Sequence, residues 1–154
     1  MSISNFSIQG SSITPTLYKG TSRQFTFLVD EPQELGGDDL AANPVEYLLA
    51  GYAGCINVVI NLIAKELDIQ LSHVKINIDG NLDAAKLLGH TTKERAGFQS
   101  LEVHIDFETE AEQERIDVLL NSLKQRCPVS DNLSNKTPIQ YHINKSSQKE
   151  EVYA

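Results

Sequence analysis

The chain has 154 residues, 40% of them hydrophobic, with 13 basic against 21 acidic side chains and a formal charge of -8. That length suffices for one buried core and argues against two. The acidic balance gives no electrostatic footprint for nucleic acid or for an anionic membrane surface, and two cysteines 72 positions apart are too few for a secreted disulfide framework or a zinc site.

The opening MSISNFSIQG has neither the basic nor the apolar stretch of an export signal, so a cytoplasmic, reducing setting is expected. In such a setting two cysteines serve redox or catalytic chemistry, or fill core space as small hydrophobes. Residues 1–144 read as one domain and 145–154 as a polar, frayed tail.

Residues 3–29 read as short extended runs, with the clearest turn at Lys19-Gly20-Thr21-Ser22. Alternation in Gln24-Phe25-Thr26-Phe27-Leu28-Val29 predicts a strand with one buried face. Residues 30–42, with several acids, Pro32 and the Gly36-Gly37 pair, form a loop. Three helix-start signals then coincide in Asn43-Pro44-Val45-Glu46: a cap residue, proline at the first helical position and a glutamate three residues after the cap. The helix is expected to reach about Leu67.

From Tyr47 to Ala64 that helix runs for 18 residues without a charge, and Asn57 and Asn61 are its only amides. The length falls in the lower range for a membrane span. A lone apolar segment with two amides in a polar chain fits better a helix surrounded by protein on all sides. Ala50, Gly51, Ala53 and Gly54 strip side chains from one stretch, so another backbone can come close. A small domain rarely encloses a helix by itself, which points to a partner subunit.

Residues 74–82 and 101–107 alternate as half-exposed strands, separated by a loop at 83–97 that carries Lys86, His90, Lys93 and Arg95. Residues 110–126 form an amphipathic helix with Ile116, Val118, Leu119, Leu120 and Leu123 available to its buried face and acids mainly in its first turns. A short turn or helix at 127–133 and a last strand at 138–143 complete an α+β layout. No internal repeat is present, and His73, His90, His104 and His142 lack the paired spacing of a metal site.

The cysteines are the candidates for chemistry. A thiolate can attack a peroxide oxygen to give a sulfenic acid, and a second thiol can condense with it to a disulfide. Cys127, followed by Pro128, stands where a helix N-cap stands, and that backbone favours a thiolate. Cys55 lies 11 residues beyond Pro44, deep in the helix where the terminal dipole has faded, so it needs a cation from elsewhere. On the residues alone, a buried, inert cysteine is the favoured reading for each.

The run Asn43-Pro44-Val45-Glu46-Tyr47-Leu48-Leu49-Ala50-Gly51-Tyr52-Ala53-Gly54-Cys55 resembles the helix motif of the OsmC/Ohr family, the osmotically inducible and organic hydroperoxide resistance proteins. Arg126-Cys127-Pro128-Val129-Ser130 resembles the family's second motif, and the loop from Asp30-Glu31-Pro32 to Leu35-Gly36-Gly37 fits as well. The resemblance spans residues 25–143. It implies an OsmC-like fold, with antiparallel sheets packed around long central helices in an interlocked homodimer and two sites at the interface. By resemblance Cys55 is the peroxidatic thiol, Cys127 the resolving thiol, an organic hydroperoxide the substrate and a dithiol the reductant. No bound cofactor is implied. An apolar pocket for the alkyl group is expected near Leu49, Tyr52 and Phe98.

Two positions depart from the pattern. The hydroperoxide-specific branch has a glutamate directly after the proline, where this chain has Val45, and Glu46 follows one position later. Nine residues of ideal helix rise about 13 Å, so Glu46 reaches Cys55 only through a helix break or across a dimer. It serves equally well as the acid of a capping box. The family's activating arginine comes from the N-terminal sheet, where Arg23 is the candidate, with Arg95 and Arg126 as substitutes. The rival to a peroxidase is a non-catalytic dimer of the same fold that binds a small apolar ligand or acts as a redox sensor.

Overall fold

The computed structural model describes residues 3–145, so the tail reading, from residue 146 on, falls outside the described residues. Strands β1 (Gln9–Ser12), β2 (Tyr18–Ser22) and β3 (Phe25–Val29) form an antiparallel sheet in that order. The turn expected at 19–22 lies inside β2 instead, where Gly20 pairs with Phe27. A Cβ on Gly20 would lie 2.4 Å from Cζ of the Phe27 ring, so the glycine admits an aromatic side chain across the sheet rather than turning the chain. The chain reverses between Ser22 and Phe25, with Arg23 at φ 54°, the left-handed geometry that starts a tight hairpin turn.

The loop that follows is organised by Asp30, which is only 1% exposed. Its carboxylate accepts the backbone N–H groups of Glu31 at 2.9 Å and of Asp38 and Leu40, each at 3.2 Å. Burial pushes this acid up. The hydrogen bonds from Leu40, Glu31, the Thr16 side chain and Asp38 outweigh it and hold the carboxyl below its ordinary range. A Cβ on Gly37 would collide with the Glu31 carbonyl, so this tight path requires glycine.

Helix α1 (Pro44–Glu66) starts where the sequence indicates. Asn43 Oδ1 accepts the Glu46 N–H at 2.9 Å, and Glu46 Oε2 accepts the Asn43 N–H at 2.8 Å, a complete capping box. At the other end Asp68 turns left-handed at φ 51°, and the Arg115 guanidinium donates to the carbonyls of Leu67 and Asp68 that the helix leaves open.

Strands β4 (Ser72–Asn81) and β5 (Ser100–Glu108) form a second antiparallel sheet. Ile76, Ile78, Val103, Ile105 and Phe107 turn inward, as their alternation demands. Helix α2 (Gln113–Arg126) and the short α3 (Pro128–Ser134) follow. The core lies where α1, α2 and this sheet meet, with Ile60, Ile63 and Leu119 essentially sealed from solvent. Each such aliphatic side chain contributes about 1.5–3 kcal/mol through burial. The result is an α+β architecture with antiparallel sheets.

Two expectations need correction. The last strand at 138–143 is not formed: the segment is irregular, and Ile139, Tyr141 and Ile143 are exposed. Alternation marks a stretch able to join a sheet, but a strand exists only where a neighbour completes its ladder. Val118 is exposed rather than part of the buried face of α2. Within the protomer α1 is covered on one side only. Ile56, Val59, Ile60, Ile63 and Ala64 are buried, whereas Leu48, Gly51, Gly54, Val58 and Leu62 form an exposed stripe with Val58 65% open. By length and composition α1 could also cross a membrane, but one side of it builds this protein core.

Candidate active site

The residues buried on α1 recur three or four positions apart, and Tyr52 and Cys55 continue the same stripe toward the helix start. Cys55 is therefore half-buried at the edge of the core. Cys127 comes from the other side of the core, at the joint between α2 and α3. Its N–H still donates to the Leu123 carbonyl of α2, and its own carbonyl accepts from Asp131 in α3. Pro128 stops α2 and opens α3, so the chain turns at Cys127 and points its side chain at α1.

The two sulfurs lie 3.2 Å apart, both as free thiols. Cys127 is 2% exposed, and its Sγ accepts the Ser130 N–H at 3.5 Å, as an N-cap side chain does. The Tyr52 hydroxyl donates to Ser130 Oγ at 3.3 Å, which ties α1 to the turn that carries Cys127. Burial pushes the Cys55 thiol up. A hydrogen bond from the Val129 backbone opposes that, the neighbouring Cys127 side chain adds to it, and the net shift is upward. Among the described residues no cation contributes to the shift of Cys55, and a thiolate there at neutral pH calls for one.

A cavity of about 530 Å³ opens beside the pair, walled by Tyr52 and Ile56 of α1, the inward face of β5, and Leu123 and Cys127. Such a lining suits an alkyl or aryl group. Tyr52 therefore stands where the sequence suggests. Phe98 lines a smaller neighbouring cleft of about 260 Å³ that shares Tyr52 and Ser130 with the first. Leu49 faces elsewhere, into a cleft between α1 and β4.

The remaining candidates are not brought to the sulfurs. Arg23 holds its guanidinium 5.0 Å from the centre of the Phe25 ring, on the N-terminal hairpin. Glu46 is engaged in the capping box, and α1 runs unbroken from it to Cys55. Arg126 pairs with Glu66 through two contacts, 2.5 and 2.9 Å, which hold the Glu66 carboxyl below its usual range. Arg95 lines the smaller cleft. Sequence reading gave no role to Ser130 or Asp30. Ser130 sits three residues past a cap-like cysteine, which is the signal for its N–H; the role of Asp30 depends on a loop path that no local pattern encodes. Among the described residues no group of three or more His, Cys, Asp or Glu side chains could hold a metal ion.

The fold recurs in solved structures. The OsmC-like protein of Mycoplasma pneumoniae superimposes with a TM-score of 0.73 at 20% identity, covering 85% of this chain and 88% of that one. An organic hydroperoxide resistance protein of Legionella pneumophila gives 0.60 at 23% identity, over 86% of this chain and 91% of the other. One from Elizabethkingia anophelis gives 0.61 at 23% identity, over 84% and 88%. No significant match is found among curated protein sequences. The family model for OsmC-like proteins matches residues 36–142, a span that holds α1, both cysteines and the second sheet, and the chain belongs to that family.

Proposed function

We propose that this chain is a thiol-dependent peroxidase that reduces organic hydroperoxides in a stress or detoxification role, with Cys55 and Cys127 as its redox pair. The approach of the two sulfurs to 3.2 Å, beside an apolar cavity, is the observation that carries this reading. The Cys55 thiolate attacks the outer oxygen of R–O–O–H, the O–O bond breaks, and RO⁻ leaves and is protonated to the alcohol. Cys55 is then a sulfenic acid. The Cys127 thiolate attacks its sulfur, an S–S bond forms, and the hydroxyl leaves as water. A dithiol donor returns both thiols by exchange and is itself oxidised to a disulfide. Two of the solved neighbours are organic hydroperoxide resistance proteins, which supports the same reading.

The active form in this proposal is a homodimer. The exposed stripe on α1 offers Val58 and Leu62 for burial, and Gly51 and Gly54, with nothing within 4 Å of their missing Cβ positions, for close backbone approach. A second copy would bring Arg23 toward Cys55 and favour its thiolate. Glu46, held by its cap, has a structural role that suffices by itself. A reducing cytoplasm would keep both cysteines free, and residues 1–144 would act as one unit. The rival is a non-catalytic dimer that binds an apolar ligand or senses oxidants; the upward shift of Cys55 and the valine at position 45 favour it.

Thiol counting decides between them. Reduced protein treated with tert-butyl or cumene hydroperoxide should lose both thiols and release the corresponding alcohol. Cys127→Ser should halt at the sulfenic acid, and Cys55→Ser should not react. A Cys55 that stays reduced under excess hydroperoxide sinks the peroxidase reading, as does a Cys55→Ser protein that reacts at the wild-type rate.

A further inference from the structure

The segment that carries Cys127 is hinged. Pro128 has no N–H, and among the described residues no backbone hydrogen bond passes from α2 to α3 beyond Cys127, whose N–H donates back to Leu123 and whose carbonyl accepts forward from Asp131. The side-chain bonds of Asn132, Asn135 and Thr137 close within the same stretch of chain. Apart from the approach of the sulfurs themselves, the Tyr52–Ser130 bond is the one side-chain hydrogen bond among the described residues that ties α3 to another element. Val129 also packs on the core, a contact without direction. The bond sits at the sulfurs: Tyr52 lies one helical turn before Cys55 on the same face of α1, and Ser130 donates its N–H to Cys127 Sγ at 3.5 Å. The Val129 N–H next to it is turned to Cys55. One phenol hydroxyl therefore fixes a turn that touches both sulfurs. A half-buried hydroxyl needs a partner, but phenylalanine would fill the same space without needing one, so packing alone does not call for the oxygen.

We infer that Tyr52 is a positioning residue for the step that joins the two sulfurs: its hydrogen bond to Ser130 holds the hinge at Cys127 so that this sulfur stays within reach of Cys55. With the turn already fixed, drawing the sulfurs together into a covalent bond orders little else. Without the hydroxyl, the turn must be ordered in that same step. The inference needs the two thiols to join and rests on the peroxidase reading only where the oxidant is a hydroperoxide.

The test separates the two. Reduced protein is equilibrated in glutathione redox buffers, where the two thiols reduce oxidised glutathione to two reduced molecules and join as the protein disulfide; the fraction oxidised gives the equilibrium constant of the pair. Tyr52→Phe should lower that constant about fivefold, the scale of one neutral hydrogen bond, which at ~30 mV per tenfold raises the potential by about 20 mV. Ser130→Ala should do the same, and the double variant should be no worse than either single one. Ser130→Thr, which keeps the hydroxyl, should stay near wild type. Tyr47→Phe, which removes a phenol hydroxyl from the part of α1 that meets Phe27, should leave the constant unchanged. With cumene hydroperoxide as oxidant, Tyr52→Phe should form the Cys55 sulfenic acid at the wild-type rate and convert it to disulfide and water about fivefold more slowly, read by dimedone trapping. A wild-type glutathione constant in Tyr52→Phe overturns the inference, as do losses that add in the double variant or a wild-type pair that forms no disulfide in any buffer. If hydroperoxide leaves the wild type untouched while Tyr52→Phe still shifts the glutathione constant, the peroxidase reading fails and the role of Tyr52 stands.

Discussion

The two halves of α1 live in different surroundings. From Ile56 to Ala64 the helix is packed against α2 and the β4–β5 sheet, with Ile60, Ile63 and Leu119 closed off from water. Its first half, and the three-stranded sheet before it, have little such cover. β1 is exposed along its length, and an aromatic pair, Phe27 with Tyr47 at 6.1 Å, is the main tie between sheet and helix. One half thus supplies its own core; the other presents apolar surface and holds Arg23, the cation proposed to act on Cys55. Stability and geometry at the sulfurs come from the first region. In the proposed dimer a second copy of the chain would cover the second region and supply a cation to Cys55.

The sharpest way to break this division is in the packed half. Leu119→Ala removes a side chain with no exposure and should cost about 2–5 kcal/mol, read as a lower denaturation midpoint. A smaller loss would mean that the core collapses around the gap and that α2 is less firmly set than its burial suggests. Next in size is Val58→Lys on the open stripe. A surface substitution costs about 0.5 kcal/mol or less in a monomer, but a buried unpaired charge would weaken a dimer by about a hundredfold or more. Sedimentation should then find monomers. A variant that remains dimeric would move the interface off this face of α1.

The cysteine half was the more legible in the sequence, because its signals are local. A cap, a proline and a glutamate within four consecutive residues marked the start of α1, and strict alternation marked β4 and β5. Where a position depends on partners distant in sequence, the pattern misled. Gly20 looks like a turn residue, but it is needed for the Phe27 ring that crosses it. Residues 138–143 alternate like a strand but pair with no strand among the described residues. The site divides in the same way. Both cysteines were placed by their motifs, and Tyr52 by its position before Cys55; the contacts of Ser130 and Asp30 come only from the way the helices and the 30–42 loop come together.

Arg23 probes whether the two regions communicate. If a second copy carries it to Cys55, Arg23→Ala should move the pH dependence of Cys55 alkylation to higher pH and slow the reaction on the order of tenfold at neutral pH, since an opposite charge favours the thiolate. Rates equal to wild type at every pH would leave Arg23 as a partner of Phe25 alone and return the search to Arg95.

The smallest effect expected is at the joint between the halves. Asp30 holds the 30–42 loop through backbone N–H groups, and its carboxyl sits below the ordinary carboxylate range in the folded protein. A depressed acid adds stability above the unfolded value, about 3.9, and loses it as pH falls through the lower, folded one. Asp30→Asn keeps the shape but forgoes the charge-assisted bonds, so it should melt below wild type at pH 7, with the gap closing as the pH drops below about 4. A gap that stays constant with pH would assign the loss to amide geometry instead of charge. If the variant also loosens the Phe27–Tyr47 contact, seen as faster hydrogen exchange in β3, then the loop holds the N-terminal sheet against α1 as well as shaping itself.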